Sequence, residues 1–124
     1  MLNKILCVDD SHDIRSVLKI SLEMIGGFNI CLCASGKEAL EKAAEFAPDL
    51  ILLDVIMPDM NGTETLEALR EQPELIATPV IFMTGKSSEA EMNALMALGA
   101  IGVLSKPFKP TELAQQINTL WQAR

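Results

Sequence analysis

Basic residues are scarce in this sequence relative to acidic ones. Ten lysines and arginines stand against seventeen aspartates and glutamates, which gives a formal net charge of −7 at pH 7. Proteins that bind nucleic acids neutralise phosphates with lysine and arginine, so this balance argues against a nucleic-acid-binding surface on the chain.

Cysteines are also few, and none is spaced like a zinc ligand. One residue separates Cys31 from Cys33, which is closer than the usual two to four, and Cys7 lies far from both. All three lie inside apolar runs. We therefore expect buried, inert thiols in a reducing compartment.

Long apolar runs are missing as well. Charged residues recur throughout residues 1–25, where a signal peptide would need an uninterrupted apolar stretch. A membrane span would need a still longer one. The sequence therefore predicts a soluble cytoplasmic protein that does not associate with membranes.

What the chain does contain predicts a single folded domain over residues 1–124. Apolar residues make up 49% of the sequence, which is enough for a substantial core and excludes global disorder. Five short apolar runs predict strands, and they alternate with stretches in which apolar residues follow the helical 3.6-residue period. The predicted strands are 5–8, 29–34, 50–53, 80–83 and 101–104.

Residues typical of helix ends separate these segments. Gly26-Gly27 marks the end of the first helix, and Asn61-Gly62 marks the start of the third. Capping boxes are predicted at the second and fourth helices, from the pairs Ser35 with Glu38 and Ser88 with Glu91. Strands alternating with helices predict an α/β fold, a five-stranded doubly wound parallel sheet with helices on both faces. We expect strand order 2-1-3-4-5, the flavodoxin-like (βα)5 arrangement.

Polar residues follow four of the predicted strands. Asp9-Asp10 follows the first, Asp54 the third, Thr84 the fourth and Lys106 the fifth. In doubly wound sheets, ligands bind beyond the carboxyl ends of the strands. A carboxylate such as Asp54 at the end of a buried strand is costly unless a cation or donor meets it there. We therefore expect these side chains to form one site.

The residue types at this predicted site suit phosphoryl chemistry. Three carboxylates repel one another unless a cation neutralises them, and Asp9, Asp10 and Asp54 offer the oxygen ligands that Mg²⁺ takes. Lys106 could reach a carboxylate or a phosphate oxygen, and Thr84 adds a neutral donor. An aspartate in this position can attack phosphorus to form an acyl phosphate, while metal and lysine neutralise the phosphoryl oxygens.

Each of these residues also has an ordinary structural explanation. Asp9 or Asp10 could cap the following helix, and Thr84 could reflect the preference of threonine for strands. The segment around Lys106 could be a simple loop, and His12 is expected to be solvated. The combination of suitable groups after four separate strands is hard to explain by structure alone.

These motifs resemble a known family. The segments "ILCVDD", "DLILLDVIMPDMNG", "PVIFMTG" and "GVLSKPF" occur in the order and at the spacing of the response-regulator receiver domains of two-component signalling. The resemblance covers essentially the whole chain. It implies that Asp54 accepts a phosphoryl group from a sensor histidine kinase or a phosphotransfer protein.

The same resemblance implies roles for the neighbouring residues. Asp9, Asp10 and the backbone carbonyl of Ile56 would hold magnesium together with Asp54, and Thr84 and Lys106 would contact the phosphoryl group. The Lys106–Pro107 peptide bond is similar to one that is commonly cis in the family, which would direct the lysine into the site.

At some positions this sequence differs from the usual residue of the family, and at others the family itself varies. Val103 replaces an aromatic residue that is common three positions before the lysine, so a relay from threonine to an aromatic ring is not expected. Gly85 leaves room for the phosphodonor beside Thr84. Ile56 and Lys86 occupy positions where hydrolysis of the acyl phosphate is tuned.

The resemblance implies a phosphorylation-controlled switch and not an enzyme with a separate substrate. The chain ends near Arg124, just after the fifth predicted helix, so we expect a stand-alone receiver that docks to a downstream protein, or else a fragment of a longer one. The expected output face comprises the fourth helix, the fifth strand and the fifth helix. Met92 and Met96 are candidates for partner contact, off the stripe formed by Ala94, Leu95 and Leu98.

Two other classes of function compete with this one. A magnesium-dependent phosphohydrolase or phosphotransferase would want a second acid/base aspartate two residues after the nucleophile, where the sequence has Ile56. It would also want a substrate-covering cap, for which this length leaves no room. A pseudo-receiver used only for binding is disfavoured, because every phosphorylation residue is present.

Overall fold

Five strands and five α-helices alternate along the part of the chain that the computed structural model describes, residues 1–85 and 88–124. The strands are β1 (Lys4–Val8), β2 (Asn29–Cys33), β3 (Leu50–Asp54), β4 (Val80–Thr84) and β5 (Gly102–Ser105). The helices are α1 (His12–Leu18), α2 (Gly36–Phe46), α3 (Gly62–Leu69), α4 (Glu89–Ala97) and α5 (Leu113–Ala123). A π-helical segment, Lys19–Ile25, continues α1, and a 3-10 turn, Pro73–Leu75, follows α3.

The strands form one parallel sheet in the order β2-β1-β3-β4-β5. The predicted fold class and strand order are therefore confirmed. All five residues of β3 are buried, as its unbroken apolar run predicted for a central strand covered on both faces.

Alternate residues of each strand point to opposite faces of the sheet, and each face has its own core. On one face, α1, its π-helical continuation and α5 cover strand residues such as Ile5 and Leu52. On the other face, residues of α2, α3 and α4 pack with strand residues such as Leu6 and Phe82.

Side chains at the helix N-termini fix where the helices begin. Ser11, Ser35 and Ser88 each accept a hydrogen bond from a first-turn amide, which satisfies one of the free N–H groups there. The full reciprocal capping box lies at α3, between Asn61 and Glu64. At α2 the pairing differs from the prediction, because the Glu38 carboxylate accepts from the amide of Ala34 and not from that of Ser35.

The first helix departs from the prediction over its second half. Ile25 follows Leu18 and Leu22 at the helical 3.6-residue period, so a regular α-helix would place it on the same buried face, but Ile25 is 52% exposed. The turn is wider here, with the amide of Gly26 donating to the carbonyl of Ser21 at 3.0 Å, five residues back. Each residue therefore advances through a smaller angle, so that Ile20, Met24 and Ile25 face outward.

The cysteines are free thiols of unequal burial. Cys7 and Cys33 are buried, as predicted, but Cys31 is half-buried because β2 is an edge strand. Among the described residues, every helix is too short or too polar to cross a membrane.

Candidate functional site

The sheet brings the predicted polar residues together at the carboxyl ends of its strands. Val8 of β1 is in register with Leu53 of β3, so Asp9 and Asp54, the next residue of each strand, are neighbours. Thr84 is in register with Ser105, which places Lys106 just beyond the end of β4. The backbone amide of Lys106 donates to the carbonyl of Thr84 at 2.9 Å and holds this juxtaposition.

Lys106 forms ion pairs with two of the three carboxylates. Its Nζ lies 2.7 Å from Oδ2 of Asp9 and 3.0 Å from Oδ1 of Asp54. Asp9 is fully buried and Asp54 is 4% exposed, so neither carboxylate is well solvated. The lysine supplies the cation that the buried end of β3 requires. The Lys106–Pro107 peptide bond is cis.

Backbone and arginine contacts hold Asp9 in place. The amide of Ser11 donates to Oδ1 of Asp9 at 2.9 Å, so each carboxylate oxygen of Asp9 has a partner. The guanidinium of Arg15, one turn into α1, donates to the Asp9 carbonyl at 2.8 Å. Sequence reasoning missed Arg15, because an arginine inside a helical pattern does not signal a bond back to the preceding strand.

Asp9, Asp10 and Asp54 could together hold a metal ion. One carboxylate oxygen from each lies within 4.8 Å of the others, and these hard oxygen donors are the ligands that Mg²⁺ takes. Asp10 is exposed while the other two are buried, so one side of the cluster is open to solvent. A cation arriving from that side could retain waters on its outer positions.

The carboxyl group of Asp54 is harder to ionise than an ordinary aspartate. Burial raises its pKa above the usual 3.8, and the charges of Asp9 and Asp10 raise it further, against the opposing effect of Lys106. Burial alone would lower the pKa of Lys106, but hydrogen bonds to the two carboxylates outweigh it, and the net shift is upward. The ammonium therefore stays charged.

A close backbone contact fixes the loop after β3. The amide of Gly62 donates to the carbonyl of Val55 at 2.7 Å, and a side chain at Gly62 would overlap the backbone carbonyl oxygen of Asp54. A glycine is therefore required at the start of α3. Ile56, two residues past Asp54, is 69% exposed.

The remaining predicted residues lie beside the site or away from it. Thr84 is buried at the end of β4, and no described atom beyond the chain neighbours of Gly85 lies within 4 Å of the position that a side chain there would take. Val103 is half-buried and in register with Phe82. Lys86 lies outside the described residues. The structure does not bring Met92 and Met96 to the site, since both lie on α4, the former half-buried and the latter 44% exposed.

The sequence matches a family whose description is "Response regulator receiver domain", over residues 5–118. It is 43% identical over 119 residues to the transcriptional regulatory protein CpxR of Escherichia coli (strain K12). It is 36% identical over 120 residues to the alkaline phosphatase synthesis transcriptional regulatory protein PhoP of Bacillus subtilis (strain 168). These alignments cover 96% and 97% of this chain but 49% of each relative. The chain thus spans about half the length of these curated relatives.

A solved structure shares the whole fold. The chemotaxis protein CheY4 of Vibrio cholerae superimposes with a TM-score of 0.88 at 36% sequence identity. The match covers 97% of this chain and 99% of that one. The similarity therefore extends over the sheet, the helices and the loops that carry the acidic cluster.

Proposed function

The chain belongs to the response regulator receiver domain family, and on that basis we propose that it is a signalling switch phosphorylated on Asp54. We take residues 1–124 as one receiver domain. The phosphodonor is a sensor histidine kinase or a phosphotransfer protein. The switch acts in the cytoplasm through a downstream protein, and this chain contacts neither nucleic acid nor membrane.

The position of Asp54 between the Lys106 ammonium and the acidic pair of Asp9 and Asp10 supports this proposal most directly. Its carboxylate lies at the end of a buried strand, with the Lys106 ammonium 3.0 Å away and the acidic pair Asp9 and Asp10 beside it. A merely structural ion pair would not need three carboxylates for one lysine. The excess negative charge suits a site that receives a divalent cation and then a phosphoryl group.

The proposed chemistry is an in-line transfer to the aspartate. An oxygen of Asp54 attacks the phosphorus of a phosphohistidine, a new O–P bond forms as the P–N bond breaks, and the donor nitrogen keeps the electron pair and takes a proton. Lys106 stays close enough to pair with a phosphoryl oxygen, and Thr84 offers a hydroxyl to another.

We assign the metal site to Asp9, Asp10, Asp54 and the backbone carbonyl of Ile56. Mg²⁺ bound there would neutralise negative charge on the phosphoryl oxygens during transfer. The exposed Ile56 side chain and Lys86 are the proposed positions that tune hydrolysis of the acyl phosphate. Gly85 leaves space for the donor, since in the described part of the chain no atom other than those of its chain neighbours lies within 4 Å of a side chain built there.

The proposed output begins with movement of Thr84 toward the phosphoryl group. The segment after Thr84 leads directly into α4, so that helix, β5 and α5 form the proposed docking face, with Met92 and Met96 as contact residues. Val103 is not aromatic, so the change travels through the Thr84 loop and α4 without rotation of a ring at that position.

Labelling with a small phosphodonor tests the acceptor assignment. Incubation with acetyl phosphate and Mg²⁺ should add one phosphoryl group per chain, detected by intact mass and lost on treatment with base. Asp54→Asn should take up none, whereas Asp59→Asn, which changes an exposed carboxylate nearby, should label like the parent. If Asp54→Asn still acquires a base-labile acyl phosphate, Asp54 is not the acceptor.

A map of amide shifts tests the proposed output route. Beryllofluoride with Mg²⁺ should produce its largest remote changes between residues 84 and 105. Changes confined to α2 and α3 would overturn the route while leaving the acceptor assignment intact. A phosphohydrolase, by contrast, would turn over many phosphodonor molecules without retaining the label.

A further inference from the structure

An open groove lies between α3 and α4, on the face of the sheet opposite α1 and α5. It encloses about 680 Å³. Its lining residues, which define what we call the α3–α4 groove, are Thr63, Glu64, Leu66, Glu67, Arg70, Ala94, Leu95 and Leu98. None belongs to the acidic cluster or to the Met92 and Met96 pair.

The floor of the α3–α4 groove is apolar, and leucines from both helices form it. Leu66 and Leu95 lie at its base and are 4% and 6% exposed, while Leu98 is 51% exposed at its edge. The lining residues recur three, four and seven positions apart on α3 and three and four positions apart at the end of α4, so they share one side of each helix. An open groove with an apolar floor between two helices suits the apolar face of another helix.

Helix α4 has little cover from the rest of the chain. Among its nine residues, Leu95 alone is buried, although three alanines and two methionines in addition to Leu95 make the helix apolar on several sides. By comparison, α3 buries Leu66 and Leu69 and α5 buries Leu113 and Ile117. Packing against the rest of the chain therefore leaves much of the apolar surface of α4 exposed.

The rim of the α3–α4 groove is acidic. Glu64 and Glu67 line it and are exposed, and Glu71 continues the row in a shallow pocket beside it. The one described cation in the lining, Arg70, donates two hydrogen bonds at 2.6 Å to the carbonyls of Leu75 and Thr78. These bonds tie its guanidinium to the backbone beyond α3, away from the glutamate row.

We propose that the α3–α4 groove binds an amphipathic helix of a partner protein, with apolar residues on one face and lysine or arginine on its flanks. The apolar face would rest on Leu66, Leu95 and Leu98, and the basic flanks would meet Glu64 and Glu67. This occupant complements both the floor and the rim, and a chain of net charge −7 would attract it from solution. The proposal concerns the unphosphorylated chain and does not rest on the role of Asp54.

A synthetic peptide provides the test. The probe is a blocked helix of about 14 residues, an average helix length, with leucine at positions i, i+3, i+4 and i+7 and lysine elsewhere on its flanks. Titration into isotopically labelled chain should shift amides centred on residues 62–70 and 90–98. Leu98→Ser and Glu67→Lys should each weaken binding by about tenfold, and neither side chain is needed for folding because both are exposed.

Matched control variants separate the groove from general attraction. Ile20→Ser removes a similarly exposed apolar side chain from the opposite face of the sheet, and Glu41→Lys makes the same charge change on α2. Both should leave the affinity within about twofold of the parent, the range expected of surface changes outside a contact. If Glu41→Lys weakens binding as much as Glu67→Lys does, or if the shifts centre on other residues, the proposal fails.

Two further outcomes would also overturn the proposal. Self-association that Leu98→Ser abolishes would show that a second copy of this chain fills the groove. Equal binding of a peptide with glutamate in place of lysine would show that the acidic rim does not select for basic residues.

Discussion

Oδ1 of Asp54 lies 3.0 Å from Nζ of Lys106, so the proposed phosphoryl acceptor already forms an ion pair with this lysine in the absence of any ligand. The same ammonium lies 2.7 Å from Asp9, which is fully buried. One positive charge therefore serves two carboxylates. With Asp10 beside this pair, the cluster carries more negative charge than one lysine can balance, which a second cation would neutralise.

Replacing Lys106 should destabilise the chain in the absence of metal. Lys106→Met keeps most of the side-chain volume but leaves the Asp9 and Asp54 carboxylates without their cation, so we expect a loss of about 2–4 kcal/mol in the free energy of unfolding. Urea titration measures this. Mg²⁺ should recover more stability in the variant than in the parent, because it replaces the missing charge. Lys37→Met, at an exposed lysine on α2, should change stability little, and an equal loss there would contradict the role of the ion pairs.

Replacing Asp54 should have the opposite effect on stability, and the gain should depend on pH. The pKa of Asp54 is raised above 3.8 in the folded state, chiefly by burial, so its ionised form costs stability at neutral pH. Asp54→Asn should therefore be more stable than the parent at pH 7 without Mg²⁺. The gain should shrink as the pH falls through the folded-state pKa and vanish below the unfolded value of 3.8.

Thermal unfolding from pH 7 down to pH 3 measures that gain. Asp13→Asn, which removes an exposed carboxylate from the first turn of α1, should show no gain at any pH. A gain for Asp54→Asn that persists unchanged at pH 3 would rule out ionisation of Asp54 as its source.

The contact at Gly62 should make even an alanine costly there. The added methyl group would lie 2.9 Å from the Cα of Val55 and would overlap the carbonyl oxygen of Asp54, both backbone atoms that cannot move aside cheaply. We expect Gly62→Ala to cost about 2–3 kcal/mol in the free energy of unfolding. Gly85→Ala is the matched control, since among the described residues, its chain neighbours apart, no atom lies within 4 Å of the added methyl group. Equal stability of the two variants would show that the α3 start is not constrained in this way.

The three thiols should differ in their reaction with an alkylating reagent. Burial raises the pKa of Cys33 to about 12, with Cys31 adding to the shift, and burial also raises the pKa of Cys7. Cys31 is half-buried on the edge strand, so it should be the first thiol that iodoacetamide modifies in the folded chain. Mass spectrometry of the modified chain should find one rapidly labelled cysteine, and Cys31→Ser should remove it. Rapid labelling of Cys7 would contradict the burial.

The sheet and the site could be predicted because few folds are compatible with five apolar runs that alternate with helical segments. Five apolar runs without alternation imply parallel strands, and parallel strands place the residues that follow them at one edge. Asp9, Asp54 and Lys106 were therefore predictable as neighbours before any distance was known. The capping box at α3 was also readable, since Asn61 and Glu64 have the required spacing, although it was not predicted.

Other features depend on geometry that sequence patterns do not encode. Apolar spacing in residues 19–25 fits an α-helix and a π-helix almost equally well, so the outward position of Ile25 was not foreseeable. In the stripe of Ala94, Leu95 and Leu98, only Leu95 is buried, because tertiary packing covers no other residue of α4. Arg15 reaches Asp9 across a turn, and its place in a helical pattern gives no sign of that reach.

The order of the strands also constrains when the site can exist during synthesis. β1 lies beside β3, and the lysine that neutralises Asp9 follows β5, close to the end of the described chain. A nascent chain that has not yet released β5 from the ribosome therefore lacks the cation that the folded chain places beside Asp9 and Asp54. Such a chain cannot form the ion pairs at this edge, and under the proposed function it would not be a competent phosphoryl acceptor. Phosphorylation on Asp54 would then require that synthesis has passed Lys106, so unfinished chains would not signal.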